Sequence, residues 1–150
     1  MTLTQKETTL LQDLKSQEQL CIDKYSKYSS DACGSKLKDL FSEIKQTEQQ
    51  HFTTVNQILG GTVPQVGGGS QANSAQSDYN SQYSEQDKQK DKFLCTDALS
   101  TEKHVSSLYN TCIFECKDTN VRNVLNHIQK EEQQHGEKIY NFMSQNGMYS

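Results

Sequence analysis

The chain repeats itself at an offset of 84 residues, and the repeat keeps polar residues at positions that ought to be apolar. Leu10, Asp13, Ser16, Glu18, Tyr25, Ile44 and the run Glu48-Gln49-Gln50-His51 fall on Leu94, Asp97, Ser100, Glu102, Tyr109, Ile128 and Glu132-Gln133-Gln134-His135. Each half holds two stretches in which apolar side chains recur alternately every three and four positions, the signature of helices packed in a bundle. The first seam runs Leu11, Leu14, Glu18, Cys21, Tyr25, Tyr28, and the second Leu37, Phe41, Ile44, Glu48, His51, Val55, Ile58. The third runs Leu94, Ala98, Glu102, Val105, Tyr109, Cys112, Cys116, and the fourth Val121, Leu125, Ile128, Glu132, His135, Ile139, Phe142. Four glutamates and two histidines interrupt these seams.

Short polar turns, DACGS at Asp31 to Ser35 and CKDTN at Cys116 to Asn120, divide each half into a helical hairpin. The spacing predicts helices over 4–31, 35–59, 79–116 and 119–145. Thr4-x-x-Glu7 has the spacing of a capping box, and Gly34 and Ser35 suit a helix C-cap and the next N-cap. Asp118 or Thr119 is placed to cap the last helix, which closes near Asn146-Gly147. Between the hairpins, Gly60 to Asn80 holds the only proline and most of the glycines and reads as a linker.

With 150 residues, 32% of them hydrophobic, the chain supports one core and argues against a turn-rich sandwich or barrel. The expected architecture is a single all-α domain over 1–150. Hairpin 4–59 packs about a pseudo-twofold axis on hairpin 79–145, with linker 60–78 between them. Some 20 linker residues span up to about 66 Å when extended, ample for a long crossover, whereas a simple up-down bundle needs only a few. A net charge of −4 gives no basic face for nucleic acid. No apolar run approaches the roughly 20 residues of a membrane span, and Met1 to Leu10 lacks the form of a secretory signal, so synthesis in the cytosol is expected. The five cysteines include no CxxC pair, which points to neither a disulfide framework nor a zinc ribbon. Most are expected as small core residues.

Glu18 and Glu48 stand 30 residues apart with a turn near position 33 almost midway, so both carboxylates sit about 22 Å from that turn and face each other across the hairpin. Glu102 and Glu132 repeat this spacing. His51 and His135 each follow a glutamate by three residues and share its helix face. Docked hairpins would gather four carboxylates in one apolar layer, each costing several kcal/mol unless compensated. No seam Lys or Arg neutralises them. Two divalent cations would, and the oxygen and imidazole donors suit iron or manganese. One Glu from each of two helices plus Glu-x-x-His from the other two is the ligand pattern of di-iron and di-manganese carboxylate bundles. A lone Glu-x-x-His commonly marks only a solvated face; two on seam positions, each paired with a seam Glu, argue against that. A degenerate site that keeps the residues but binds metal weakly stays open.

In this order of Glu, Glu-x-x-His, Glu, Glu-x-x-His the chain resembles the ferritin-like superfamily, as in rubrerythrins and manganese catalases. The resemblance implies a ferritin-like four-helix bundle. It also implies Glu18, Glu48, His51, Glu102, Glu132 and His135 as ligands of two Fe or Mn ions, with Glu48 and Glu132 bridging. The chain lacks the CxxC pairs of a rubredoxin-type domain and the long extensions of a manganese catalase. Leu99 to Thr111 (LSTEKHVSSLYNT), Val121 to Met143 (VRNVLNHIQKEEQQHGEKIYNFM) and the ending NGMYS resemble the spore coat protein F family of endospore-forming bacteria. That resemblance implies synthesis in the mother cell, deposition in the spore coat, and other coat proteins or a second copy of the chain as partners. Two classes stay open: a structural coat component, and a di-metal redox enzyme acting on peroxide or dioxygen to protect the spore or drive coat cross-linking.

Among other residues, Tyr25 and Tyr109 lie two turns past the lone glutamates and are expected in the core, with hydrogen bonding to a ligand or electron relay as the alternative. His104 and His127 fall off the seams and are expected at the surface. Gln49, Gln50, Gln133 and Gln134 are expected to point outward without a role. The cysteines or tyrosines are candidates for oxidative cross-linking in a coat.

Overall fold

A computed structural model describes residues 1–66 and 77–149. Among them are four helices and no strand: α1 (Gln5–Asp31), α2 (Ser35–Leu59), α3 (Glu85–Glu115) and α4 (Thr119–Gln145). Each begins where the chain offers a cap or a turn. At α1 the capping box forms, with the Glu7 amide donating to Thr4 Oγ1 at 3.1 Å and the Thr4 amide to Glu7 Oε2 at 2.7 Å. Asp118 caps α4 by accepting from the Val121 amide at 3.0 Å, and the αL residue Gly147 follows its last turn at φ +65°.

Lateral contacts give the helix directions. Along α1 and α3, Lys6 meets Glu115, Tyr25 meets Glu102 and Cys33 meets Asp91, so the two run antiparallel. Along α2 and α4, Glu43 meets Lys138 and Glu48 meets His135, again antiparallel. Because α1 and α2 are joined by only three residues and also run antiparallel, α2 and α3 point the same way. The connection from Leu59 to Glu85 therefore travels the length of α2, about 37 Å for its 25 residues. Residues 60–66 and 77–84 of it are non-helical, and the remainder of the expected linker lies outside the described residues.

All of the first, second and fourth expected seams are buried. The third differs at its start, where Cys95 is buried and Leu94 only half-buried. The repeat itself explains this, since position 95 lies opposite the buried Leu11, while the matching Leu10 and Leu94 both sit on the flank. The third helix also starts at Glu85 instead of residue 79. Residues 79–84 spend their backbone groups elsewhere. The Tyr79 amide donates to Gln145 Oε1 at 2.7 Å, the Ser81 amide to Asn146 Oδ1 at 3.0 Å, and Ser84 caps α3. Gly34 is no αL C-cap: it precedes α2 at φ −81°, and a Cβ there would stand 2.4 Å from the Tyr83 hydroxyl.

Two buried acids tie the hairpins together at opposite ends. Asp91 on α3 accepts from the Cys33 and Gly34 amides at 2.8 and 2.9 Å and from the Tyr83 hydroxyl at 2.6 Å. Glu7 on α1 accepts from the Lys117 amide at 2.8 Å. Glu7 and Asp91, like Cys33 and Lys117, are separated by the repeat offset, so these are one strut used twice. Asp91→Ala leaves buried donors without an acceptor and is expected to cost about 3 kcal/mol, a Tm drop of roughly 10 °C. Asp91→Asn, which keeps one oxygen acceptor, is expected to recover part of it; thermal unfolding of the two variants checks the strut.

Candidate metal centre

All six seam residues predicted as ligands converge at mid-bundle. Glu18 comes from α1, Glu48 and His51 from α2, Glu102 from α3, and Glu132 and His135 from α4, each at most 4% exposed. The helical three-residue step sets each histidine beside its own glutamate, and antiparallel packing of α2 on α4 sets it beside the other. His51 Nδ1 lies 3.2 Å from Glu48 Oε1, 2.7 Å from Glu132 Oε1 and 3.9 Å from Glu18 Oε1. His135 Nδ1 lies 3.3 Å from Glu48 Oε1, 3.5 Å from Glu102 Oε1 and 3.9 Å from Glu132 Oε2. Two donor quartets result: Glu18, Glu48, His51 and Glu132, and Glu48, Glu102, Glu132 and His135, with the ligand atoms of each within 4.8 Å of one another. Glu48 and Glu132 belong to both.

The inward-facing atoms crowd one another without being aligned as hydrogen bonds. Among the described residues, every buried side-chain nitrogen or oxygen lacking a hydrogen-bond partner belongs to these six. They include both oxygens of Glu48 and of Glu132 and the Nδ1 of both histidines. Buried polar groups in folded proteins are otherwise satisfied nearly everywhere, and no buried Lys or Arg compensates here. Oxygen-rich donors, buried acceptors without hydrogen-bond partners and facing imidazole nitrogens fit two divalent cations.

One oxygen each of Glu18 and Glu102 and the Nε2 of His51, by contrast, are held by hydrogen bonds from outside the six. Tyr25 on α1 donates to Glu102 Oε1 at 2.5 Å, and Tyr109 on α3 donates to Glu18 Oε1 at 2.6 Å. Both tyrosines lie in the core as expected, and in addition each fully buried hydroxyl reaches across to a carboxylate of the opposite hairpin. His51 Nε2 pairs with Glu131 Oε1 at 3.0 Å, and His127 Nε2 lies 3.4 Å from the same oxygen. Sequence reasoning missed Glu131. Its only signal is the Glu131-Glu132 doublet, and position 47, its counterpart, is a threonine. His104 is exposed and His127 half-buried, and the four glutamines are exposed except the half-buried Gln134.

Without cations, protons provide the compensation. Burial, with Glu48 nearby, pushes Glu18 well above the usual carboxylate range, and burial with Glu102 does the same to Glu132. At Glu48 burial also favours the neutral form, but the two imidazoles beside it outweigh that and hold it below the usual range. Burial opposes charge on the histidines too, yet Glu131 and Glu48 raise His51 to about 10, and Glu102 and Glu48 raise His135 to about 9. The folded, metal-free chain thus keeps imidazole protons that the unfolded chain releases near pH 6.5. Their stabilisation is complete below about pH 6.5 and is lost as pH rises through 9 to 10. Raised Glu18 and Glu132 act in the same sense. Thermal unfolding in chelator is expected to show Tm falling between pH 6.5 and 10 by at least roughly 3 °C, the equivalent of about one pKa unit. A flat profile would mean neutral imidazoles in the folded state.

A family model described as Coat F domain matches residues 90–150. The match takes in most of α3, the following turn and all of α4, and so includes Asp91, Glu102, Glu132 and His135, while Glu18, Glu48 and His51 lie outside it. No curated protein and no solved structure matches the chain. None of the described helices is long and apolar enough to cross a membrane.

Proposed function

We propose that this chain is a spore-coat protein built as a single ferritin-like domain over 1–150, with a di-iron or di-manganese centre held by Glu18, Glu48, His51, Glu102, Glu132 and His135. The single observation that carries the metal centre is the pair of buried quartets sharing Glu48 and Glu132, whose inward atoms have no other partner. Glu18 and His51 would serve one ion, Glu102 and His135 the other, and the shared carboxylates both. The two-hairpin, long-crossover arrangement inferred from the helix directions supports the ferritin-like reading, and the Coat F match over residues 90–150 supports the coat. On this reading the chain is made in the mother cell, and its partners are other coat proteins or a second copy.

A redox role is the second reading, favoured by the donor set: structural zinc sites rely on Cys and His, whereas four carboxylates and two imidazoles suit redox-active iron or manganese. Such ions would supply electrons to, or take them from, a bound peroxide or dioxygen. The chain's own residues set the conditions. Tyr25 and Tyr109 hold the terminal carboxylates in place, Glu131 orients His51 and fixes which nitrogen faces inward, and the surrounding apolar layer excludes bulk water. Cations bound there would compete with protons for His51, His135 and the raised carboxyls Glu18 and Glu132, so affinity is expected to fall as pH is lowered.

Elemental mass spectrometry of protein purified without chelator, from cells supplied with iron and manganese, is expected to give near two equivalents of one metal per chain. Glu48→Ala should lose both equivalents and Glu18→Ala mainly one, because only Glu48 is shared; equal losses would overturn the assignment of bridging carboxylates. Glu131→Gln is expected to weaken binding by about 10- to 100-fold with the fold intact. Peroxide turnover abolished in folded Glu48→Ala would favour the enzyme, and unchanged coat incorporation by metal-free protein would favour the scaffold.

A further inference from the structure

The Cys112 and Cys116 sulfurs lie 3.8 Å apart, both buried, at the end of α3 farthest from the Asp91 strut. Cys116 lines a cavity of about 230 Å³ together with Leu3, Glu7, Lys117, Asp118 and Val121. The repeat does not require thiols here, since the corresponding positions in the first half are Tyr28 and Ala32, which pack in the core without sulfur. Nothing in the candidate metal centre uses them.

We propose that Cys112 and Cys116 form a hydroperoxide-reactive dithiol that closes to an intramolecular disulfide at this cavity. Closure needs a local movement. Side chains one turn apart on a helix hold their Cβ atoms about 5–6 Å apart, and a disulfide brings them to about 3.5–4.5 Å. Cys116 is the C-cap, beyond the last helical residue Glu115, so fraying of the final turn supplies that movement. Cys116 lines the cavity whereas the buried single thiols Cys21 and Cys95 do not, so a small peroxide entering there meets Cys116 first.

The two sulfurs are also unequally placed: Cys116 lines the cavity, and Cys112 is not among the residues around it. Either thiol can donate in the contact between them. Arg122 donates to the Cys116 carbonyl at 2.9 Å, with Glu7 and Asp118 bringing negative charge nearby. Cys116 is therefore assigned as the attacking sulfur and Cys112 as the resolving one. The Cys116 thiolate attacks one peroxide oxygen, an S–O bond forms as the O–O bond breaks, and the leaving oxygen departs as water after taking up a proton. Cys112 then attacks the sulfenic sulfur, the S–S bond forms, and the second oxygen leaves as water. Two thiols are oxidised by two electrons and one hydrogen peroxide is reduced to two waters.

The test uses the full chain with Cys33→Ser, which removes the exposed thiol, in chelator so that oxidation is not routed through the metal centre. After hydrogen peroxide treatment, quenching and alkylation under denaturing conditions, peptide mass spectrometry is expected to show a Cys112–Cys116 disulfide two hydrogen masses lighter, reversed by dithiothreitol. Cys112→Ser should leave a Cys116 sulfenic acid that a dimedone probe traps, and Cys116→Ser should leave Cys112 reduced. Circular dichroism verifies that each variant is folded. Recovery of both residues as free thiols under peroxide that converts at least half of a free-cysteine standard overturns the proposal, as does faster oxidation of Cys112 in Cys116→Ser. Because no metal takes part, either result is independent of metal content.

Discussion

Four carboxylates and two imidazoles occupy the layer where a bundle of this size would ordinarily be most apolar, and the rest of the structure is arranged around that cost. Each ionised carboxylate removed from water requires compensation of several kcal/mol. Here the nearest Lys and Arg side chains stay outside the layer. Protons supply the compensation in the metal-free chain, leaving His51 and His135 charged and Glu18 and Glu132 raised. Cations would do so with more charge in less space, which is why a cluster that is poor as a core is good as a coordination site.

Holding such a cluster open requires rigidity from the outside. The pseudo-twofold repeat provides it by using each device twice: the Glu7 and Asp91 struts at the two ends of the bundle, and the Tyr25 and Tyr109 hydroxyls at its centre. Every one of these contacts crosses from the first hairpin to the second, so the hairpins are registered to each other by hydrogen bonds as well as by apolar packing. The symmetry is broken where chemistry differs. Glu131 braces His51 but has a threonine as its counterpart, and the dithiol at 112 and 116 occupies positions that the other half fills with tyrosine and alanine. Departures from a repeat are informative because the shared fold has already accounted for what both halves need.

Much of this was legible from residue order. A 3.6-residue period marks which faces are buried, so three of the four seams follow directly, as does the clustering of the six polar residues once two equal hairpins are docked. The third seam shifts by one position at its start: Leu94 is the more hydrophobic residue, but the register that the repeat imposes buries Cys95 in the place of Leu11. Tyr25 and Tyr109 were placed correctly and their role underestimated: seven residues separate each from the glutamate on its own helix, but the glutamate it bonds lies on another helix. Glu131 and Asp91 were not seen at all. Acids on helices are common, and only the neighbouring hairpin distinguishes a structural acceptor from a solvated side chain.

Periodicity and spacing by themselves determined that the chain is helical, that it forms two hairpins, and which six polar side chains share a buried layer, because those properties depend on local geometry and on residue counts between turns. Only the tertiary structure decided which groups lie opposite which: that α2 and α3 run parallel, that Glu48 and Glu132 each face both histidines, that Tyr79 to Ser81 brace the end of α4 instead of extending α3, and that Cys116, in contact with Cys112, lines a cavity. The physical reason is range. Helix periodicity is written in contacts three and four residues apart, whereas the partners of a buried charge come from helices tens of residues away, and their identity depends on how the hairpins dock.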